Sequence, residues 1–251
     1  MTPSRYKSVA FRLIYVSILI VLLSPLYMYL SYDVSKLNDK YPHVIDPQRQ
    51  LPEFELRPGK PKSWVHLSEI STYGKWAIVL SEDWGFYQHE GIDLNQMKEA
   101  FSEMVEVKRF RGASTITQQM VKNVFLSEDR TIWRKIHEII LAQKVERVLS
   151  KRKILETYLN VIEFGPGIFG IRNASYHYFK KHPSSLNPKE AAFLAMLLPS
   201  PRRYYVSFKK KKLTAFARAR IDAILIKMRM GKILTLEQYQ VQKLSRLIWE
   251  K

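Results

Sequence analysis

The feature that most limits how this chain can fold is an uncharged apolar run near its start. From Leu13 to Leu30 there is no charged residue, and Ile, Val and Leu dominate. Eighteen such residues are close to the shortest stretch that can cross a bilayer as a helix. The run therefore predicts a transmembrane anchor over residues 11–30.

Basic residues flank the start of this run. Arg5, Lys7 and Arg12 precede it, and no acidic residue does. By the positive-inside rule, residues 1–10 stay in the cytoplasm and the rest of the chain lies outside. A cleaved signal peptide is the alternative, but no small-residue cleavage motif follows the run. A buried globular helix would have a polar face, which this run lacks.

The overall charge narrows the choice of partner. The chain has 41 Lys and Arg against 23 Asp and Glu, a formal net charge of +18. Such an excess predicts attraction to nucleic acid, to an anionic bilayer or to a phosphate-bearing substrate. Most of this charge would lie outside the cytoplasm, so we expect no nucleic-acid partner. Cysteine is absent, which excludes disulfides, thiolate nucleophiles and Cys-based metal sites.

Beyond the anchor, the sequence divides into a connector, a core and a basic tail. An extended connector over residues 31–63 is predicted by five prolines, Pro42, Pro47, Pro52, Pro58 and Pro61. Helical periodicity predicts a mainly α catalytic core over 64–205 and a basic helical C-terminal segment over 206–251, without a convincing strand longer than a few residues. The clearest helical segments are 131–149, 153–160, 187–198 and 213–230. Asn187 and Pro188 are typical of a helix start.

Two adjacent acids form the first candidate site. Glu82 and Asp83 follow an apolar run and precede Trp84 and Phe86. A carboxylate among aromatic side chains can be desolvated, which raises its pKa toward the range of a general base. The competing interpretation is a solvated helix end with acids at a favourable terminus. Composition alone favours this second interpretation.

A second polar segment runs from residue 111 to residue 123. Thr115 and Gln118 have the spacing of a capping box, which predicts a helix start whose backbone N–H groups can bind an anion. Thr115, Lys122 and either Gln118 or Gln119 recur on one helix face, and their hydroxyl, amide and ammonium groups suit a phosphate or a sugar. An ordinary capped helix with a polar outer face fits equally well.

Two further motifs are weaker when taken alone. Arg134 and Glu138 have the i, i+4 spacing of a helix-surface ion pair, and Arg130 lies just upstream as another cation. The basic segment 151–160 is followed by a Gly-Pro turn, which is typical of a helix end with only a structural role. The histidines show no paired ligand spacing, so a structural zinc site is not predicted.

Taken together and in order, these segments closely resemble the peptidoglycan glycosyltransferases of family 51. The family pattern E-D-x-x-F-x-x-H-x-G is met from Glu82 to Gly91, and G-x-S-T-I-T-Q-Q from Gly112 to Gln119. R-K-x-x-E is met by Arg134, Lys135 and Glu138, and two later blocks match at 158–165 and 190–201. The match covers roughly residues 64–205.

The resemblance implies a fold, a reaction and a set of site residues. The fold is a helical, lysozyme-like lobe with a small membrane-proximal jaw, and the reaction is inverting glycan polymerisation from lipid II. Glu82 is implied as the catalytic base, and Glu138 as a second catalytic glutamate that orients cations or the donor sugar. The implied substrate-binding residues, whose cations face a pyrophosphate, are Asp83, Phe86, His89, Ser114, Thr115, Gln118, Gln119, Lys122, Asn123, Arg130, Arg134, Lys135 and Asn160.

The same resemblance implies a location and partners. The chain is expected in the bacterial inner membrane, as a single-pass protein with its catalytic domain on the extracytoplasmic side. Lipid II, lipid-linked glycan and membrane lipids are the expected partners, with cell-wall synthesis or division proteins as further candidates. No cofactor is demanded, although a divalent metal, Mg²⁺ or Mn²⁺, is an open alternative at the pyrophosphate. The residues after 205 are too few for an appended transpeptidase domain, so a monofunctional form is expected.

Two other functions stay open at this point. A lysozyme-like lytic enzyme would use a glutamate as a general acid to cleave glycan. A noncatalytic, membrane-anchored binder of an anionic polymer would show steep salt dependence and no need for Glu82. The cations that accompany the 112–119 block favour a pyrophosphate substrate over glycan cleavage.

Overall fold

The computed structural model describes residues 12–16, 19, 23–24, 26–27, 29–45, 53–106, 114–126 and 131–251. The described positions from 12 to 31 are helical. No helix within the described part of the chain is both long and apolar enough to span a membrane. Several positions of the predicted anchor, residues 11–30, lie outside the described residues.

The described chain is mainly helical, as the periodicity predicted. The α-helices are α1 (Thr72–Glu82), α2 (Leu94–Glu106), α3 (Ile116–Phe125), α4 (Ile132–Val148), α5 (Lys151–Val161), α6 (Ile171–Phe179), α7 (Pro188–Leu197), α8 (Pro201–Tyr204), α9 (Val206–Lys209), α10 (Ala215–Met230) and α11 (Leu236–Leu244). Short 3-10 helices span Val34–Asn38, Leu67–Glu69 and Pro183–Ser185.

Side-chain caps explain where many of these helices begin. A Ser, Thr or Asn hydroxyl or amide accepts a hydrogen bond from the first turn at each of seven starts: Ser71, Thr115, Thr131, Ser150, Asn187, Thr214 and Thr235. Such a cap satisfies one of the unpaired N–H groups of the first turn. The capping box of Thr115 with Gln118 and the Asn187-Pro188 start are confirmed.

A β-hairpin lies within the segment that the prolines predicted to be an extended connector. Strand β1 (Lys40–Val44) pairs antiparallel with β2 (Phe54–Pro58), with Pro42 opposite Leu56. Val34 and Leu37 of the preceding 3-10 helix are buried in the main core. Extended backbone is present, but it is paired and packed. The pairing escaped sequence analysis because each strand has only five residues and contains a proline, which weakens a strand pattern: Pro42 lies within β1 and Pro58 ends β2.

Helix α7 forms the centre of the core. Every residue from Pro188 to Leu197 is buried, which is expected of a helix that is apolar on nearly all sides. Helices α1 and α10 pack against it, and α10 also packs against α1. A second group forms where α3 packs against α4 and α5. The C-terminal end of α1 and the first turns of α3 meet between these two groups.

Two helices bury faces that the sequence did not identify. In α4 the buried residues are Glu138, Leu141, Ala142 and Val145, whereas Ile132 is 82% exposed. The basic segment 206–251 is helical as predicted, but α10 is not peripheral. Its apolar face, formed by residues 221, 224, 225 and 228, is buried in the main core.

Candidate active site

A cleft of about 1070 Å³ opens at the junction of the two helix groups. Its lining is mostly polar and carries both acids and cations. The lining residues are Ser81, Glu82, Trp84, Gly85, Gln88, Asp93, Asn95, Gln96, Glu99, Ser114, Gln119, Lys122, Leu198, Pro199, Arg220 and Lys227. A concave, polar site of this size is large enough for a sugar-sized substrate.

Glu82 is the last residue of α1 and projects into this cleft. Gln119 Nε2 donates to its Oε2 at 3.0 Å, and the Tyr158 hydroxyl donates to Gln119 Oε1 at 2.8 Å. Because burial raises the pKa of Tyr158 well above its usual value, that hydroxyl stays a donor. It therefore fixes the Gln119 amide with its NH₂ group toward Glu82.

Burial raises the pKa of the Glu82 carboxyl, and the neighbouring charge of Asp83 adds to this rise. The hydrogen bond from Gln119 and the positive charges of Arg220 and Lys227 oppose it. Glu82 keeps part of its surface open to the cleft. A carboxylate with a raised pKa and an open face has the properties of a general base.

Asp83 faces away from the cleft and is 1% exposed. Its carboxylate accepts from the backbone N–H of Ile116 at 3.0 Å, at the start of α3, and contacts His89 Nε2 at 2.9 Å. The Gly91 backbone N–H donates to His89 Nδ1 at 3.1 Å, so the His89 proton sits on Nε2 and is donated to Asp83. Asp83 and His89 therefore fix the end of α1 against the start of α3.

Three other predicted residues also support the site from behind. Thr115 and Gln118 are buried and form the capping box of α3, and Thr115 Oγ1 donates to the Gly91 carbonyl at 2.7 Å. Phe86 is fully buried, with Lys151 Nζ 4.6 Å from its ring centroid. These three side chains are buried and are not among the residues that line the cleft. They hold the loop after α1 in place.

The predicted R-K-x-x-E residues form a compact charged cluster on α4. The Glu138 carboxylate is 3% exposed and accepts from Arg134 Nη1 at 2.9 Å and from Lys135 Nζ. Lys135 Nζ also donates to Ser114 Oγ at 2.9 Å, and Ser114 lines the cleft. The predicted i, i+4 ion pair between Arg134 and Glu138 is confirmed, but it does not lie on the helix surface, because the glutamate is buried and pairs with Lys135 as well.

Lys122 of α3 is exposed and lines the cleft, whereas Asn123 and Asn160 are not among its lining residues. Asn123 is partly buried on α3 and is not among the lining residues. Asn160 pairs its amide with the backbone N–H and carbonyl of Val65, at 2.8 and 2.9 Å, beside a separate small pocket. Its position corresponds to a structural role. Arg130 lies outside the described residues.

Sequence analysis missed the cations that α10 contributes. Arg220 and Lys227 line the cleft, and Lys227 Nζ donates to the Leu80 carbonyl at 2.9 Å. Basic residues recur all along this helix, including Arg218 and Arg229, so no local pattern separates the cleft-facing cations from the others. Only the packing of α10 against α1 makes the distinction.

One group of side chains has the spacing of a metal site. The ligand atoms of Asp83, His89 and Asp93 lie within 4.8 Å of one another. However, Asp83 already accepts from His89 and from the backbone N–H of Ile116, and Asp93 accepts from the side-chain amide of Gln96 at 2.9 Å. His89 Nε2 could bind an ion only by giving up the proton that it donates to Asp83, so the described contacts favour a hydrogen-bonded group over a resident metal.

The fold and the cleft define a mainly helical protein in which a carboxylate with a raised pKa lies among cations. Comparison with known proteins adds its family. The transglycosylase family matches residues 49–229, and the chain belongs to this family.

Three curated relatives are each named "biosynthetic peptidoglycan transglycosylase". The protein of Methylobacillus flagellatus is 45% identical over 62% of this chain and 67% of its own length. That of Nitrosomonas eutropha is 43% identical over 62% of this chain, which spans only 63% of the relative. That of Janthinobacterium sp. (strain Marseille) is 36% identical over 88% of this chain and 96% of its own length.

Proposed function

We propose that this protein polymerises peptidoglycan glycan strands from lipid II, as the names of its relatives suggest. The observation that carries the proposal is the cleft itself. In it, a partly open carboxylate with a raised pKa lies between cations on two walls. Glycosyl transfer from a pyrophosphate needs both a base for the incoming hydroxyl and positive charge for the leaving group.

The proposed reaction inverts the reacting carbon of a growing glycan linked to undecaprenyl pyrophosphate. The acceptor hydroxyl oxygen of lipid II forms a bond to that carbon while the bond from the carbon to the pyrophosphate oxygen breaks. The pyrophosphate leaves with the bonding electron pair, and Glu82 takes the hydroxyl proton. The product has a new β-1,4 link and remains attached to the other lipid.

The surrounding residues have two different roles: some position Glu82, and others stabilise the leaving pyrophosphate. Gln119, oriented by Tyr158, holds the Glu82 carboxylate in one position. Lys122 and Lys135 supply positive charge for the leaving pyrophosphate, and Arg130 and Arg134 are proposed to assist them. Glu138 acts through these cations because it holds Arg134 and Lys135 in place and has almost no exposed surface of its own.

We also propose that residues 11–30 anchor the protein in the inner membrane, with a lysozyme-like catalytic lobe and its membrane-proximal jaw outside the cytoplasm. The absence of charge from Leu13 to Leu30 supports this anchor, and so does the exposure of Leu13, Ile14 and Leu26. Exposed apolar side chains are costly in water and stable in lipid. A net charge of +18 favours anionic headgroups.

A requirement for Mg²⁺ or Mn²⁺ is proposed to arise from the substrate pyrophosphate. In that case chelation lowers polymerisation, but the melting temperature of the substrate-free protein does not change. A fall in melting temperature on chelation, reversed by adding Mg²⁺, would show a resident ion instead. Differential scanning fluorimetry with and without EDTA makes this test.

The proposed function is tested by incubating the detergent-solubilised full chain with lipid II and separating the products on a gel. The expected product is a ladder of lipid-linked glycan that grows with time. An otherwise identical sample without lipid II is the control. Absence of polymer from folded protein, together with cleavage of preformed glycan, would favour the lytic alternative.

A further inference from the structure

An exposed pair of aromatic rings lies beyond the residues that line the cleft. Phe216, in the first turn of α10, is 48% exposed, whereas phenylalanine side chains are more often buried. Its ring centroid lies 4.8 Å from that of Tyr204, and the two ring planes are inclined by 31°. Tyr204 is partly buried and packs against the main core. Tyr204 therefore supports Phe216 from one side, and the pair is called the aromatic platform below.

The register of α10 places Phe216 on the side of the helix that faces the cleft. Arg220 and Lys227 line the cleft, and Phe216 lies four residues, about one turn, before Arg220. The other exposed side of α10 faces α11, where Asp222 accepts a hydrogen bond from the Tyr239 hydroxyl at 3.0 Å. Phe216 therefore continues the row of cleft-facing residues along α10.

Tyr204 reaches the platform from a second segment that also starts at the cleft. Leu198 and Pro199 line the cleft, and α8 begins two residues later at Pro201 and ends at Tyr204. The backbone N–H of Tyr204 donates to the carbonyl of Ser200 at 2.9 Å, which fixes this short helix. The platform is thus continuous with the cleft lining along two separate segments of the chain.

The platform lies at a distance from Glu82 that limits what can reach it. Lys227 Nζ donates to the carbonyl of Leu80 at 2.9 Å, so this end of α10 is attached to the last turn of α1. Phe216 precedes Lys227 by eleven residues, which corresponds to about 16 Å along the helix axis. This length exceeds that of one disaccharide. A carbohydrate that extends from Glu82 to Phe216 therefore needs more than one disaccharide.

The chemistry of the platform fits a sugar ring. The C–H groups of a β-linked pyranose lie on its two flat faces, and the negative face of an aromatic ring attracts them. The hydroxyl and acetamido groups at the edge of the sugar need hydrogen-bond partners. Arg220, one turn further along α10, is exposed and carries N–H donors. An exposed apolar surface beside a polar cleft is typical of a ligand-binding groove.

We propose that Tyr204 and Phe216 form a subsite for a sugar ring of the growing glycan strand, beyond the first disaccharide. This inference rests on the proposed function and adds to it the place where the strand is held. Lipid II has a single disaccharide, which is too short to occupy the platform while its reacting end lies at Glu82. The growing strand is long enough for both. The platform therefore binds long donors in preference to lipid II.

The test compares two labelled donors in a coupling assay with the detergent-solubilised full chain. One donor is lipid II and the other is a lipid-linked glycan of about four disaccharides, a length chosen to pass the platform. The terminal acceptor hydroxyl of both is blocked, so that each acts only as a donor to unlabelled lipid II. The KM of each donor is measured for the wild type and for variants of Phe216.

Phe216→Ala is expected to raise the KM of the long donor by about 2- to 10-fold, the usual worth of one aromatic contact. The KM of the short donor should change less, because that donor does not reach the platform. Phe216→Trp keeps a flat ring and should retain the wild-type KM of the long donor. Phe216→Leu keeps an apolar side chain without a flat ring, so it should resemble Phe216→Ala.

Tyr176→Ala is the matched control. Tyr176 is 42% exposed and lies on α6, and it is not among the residues that line the cleft. This variant should leave the KM of both donors unchanged.

Three results would overturn the inference. The first is an unchanged KM of the long donor in Phe216→Ala, and the second is an equal rise for both donors. The third is wild-type behaviour of Phe216→Leu, because any apolar side chain would then serve, as it would in contact with lipid. If the wild type couples neither donor, it is the proposed function that fails.

Discussion

Two glutamates of this molecule meet opposite surroundings. Glu82 ends α1 at the cleft, is desolvated, and has a neutral amide from Gln119 as its hydrogen-bond partner. Glu138 lies inside α4, is 3% exposed, and is held by Arg134 and Lys135. The first carboxylate is destabilised in its charged form and can accept a proton. The second is buried, and two cations form ion pairs with it.

The comparison shows that the residue type does not decide the role. Both glutamates fall in family sequence blocks, and sequence analysis implied a catalytic role for both. Their surroundings separate them, because a base needs an open face, whereas Glu138 is buried and its two carboxylate oxygens accept from Arg134 and Lys135. We therefore propose that Glu138 positions Arg134 and Lys135.

The largest effect that sharpens this contrast is expected from Glu138→Gln. This change leaves Arg134 and Lys135 without their anionic partner, so both their positions and the packing around them are disturbed. We expect a loss of about 1–3 kcal/mol in the free energy of unfolding, since a buried ion pair is broken from one side. Polymerisation should fall by about 100-fold, which corresponds to a few kcal/mol of transition-state stabilisation.

Urea denaturation and initial polymerisation rates measure these two effects. Glu237→Gln, at an exposed site on α11, is the control and should change neither. If Glu138→Gln keeps full stability and loses all activity, Glu138 resembles Glu82 and the contrast is broken.

A smaller effect is expected from Tyr158→Phe. The variant removes the hydroxyl that fixes the Gln119 amide, and the amide can then rotate its oxygen toward Glu82. Loss of one buried hydrogen bond is expected to cost about 1 kcal/mol in stability and roughly 10-fold in rate. Tyr176→Phe, on an exposed part of α6, is the matched change. Equal polymerisation rates for the two variants would show that the orientation of Gln119 does not matter for Glu82.

The smallest effect concerns the stability of Glu82→Gln as a function of pH. A carboxyl with a raised pKa in the folded state contributes stability below its unfolded pKa and loses that contribution as the pH rises through the folded pKa. The glutamine variant has no such loss. Its melting temperature should therefore match the wild type in acid and exceed it slightly at neutral pH. A lower melting temperature at neutral pH would contradict the desolvation of Glu82.

Local sequence signals predicted much of this structure. The capping box at Thr115 and the start at Asn187 depend on neighbouring residues, and both are confirmed. The main helices were predicted for the same reason, since their periodicity is local. Glu82 was identified beside aromatic residues, although Trp84 is 45% exposed and Phe86 is buried in the core.

What sequence analysis missed depends on contacts between distant segments. Arg220 reaches the cleft only because α10 packs against α1, more than a hundred residues away in sequence. The buried state of Glu138 and the supporting position of His89 arise from tertiary contacts in the same way. The pairing of β1 with β2 is also set by packing more than by local preference. The periodicity of apolar residues along the sequence does not predict such tertiary contacts.

The most direct test of the central claim is the polymerisation rate of Glu82→Gln beside the wild type, measured under saturating lipid II. Removal of a general base typically costs about 10²- to 10⁴-fold in rate. We predict a loss in that range from a variant that melts at or above the wild-type temperature at neutral pH. A near-normal rate from the glutamine variant would contradict the assignment of Glu82 as the base.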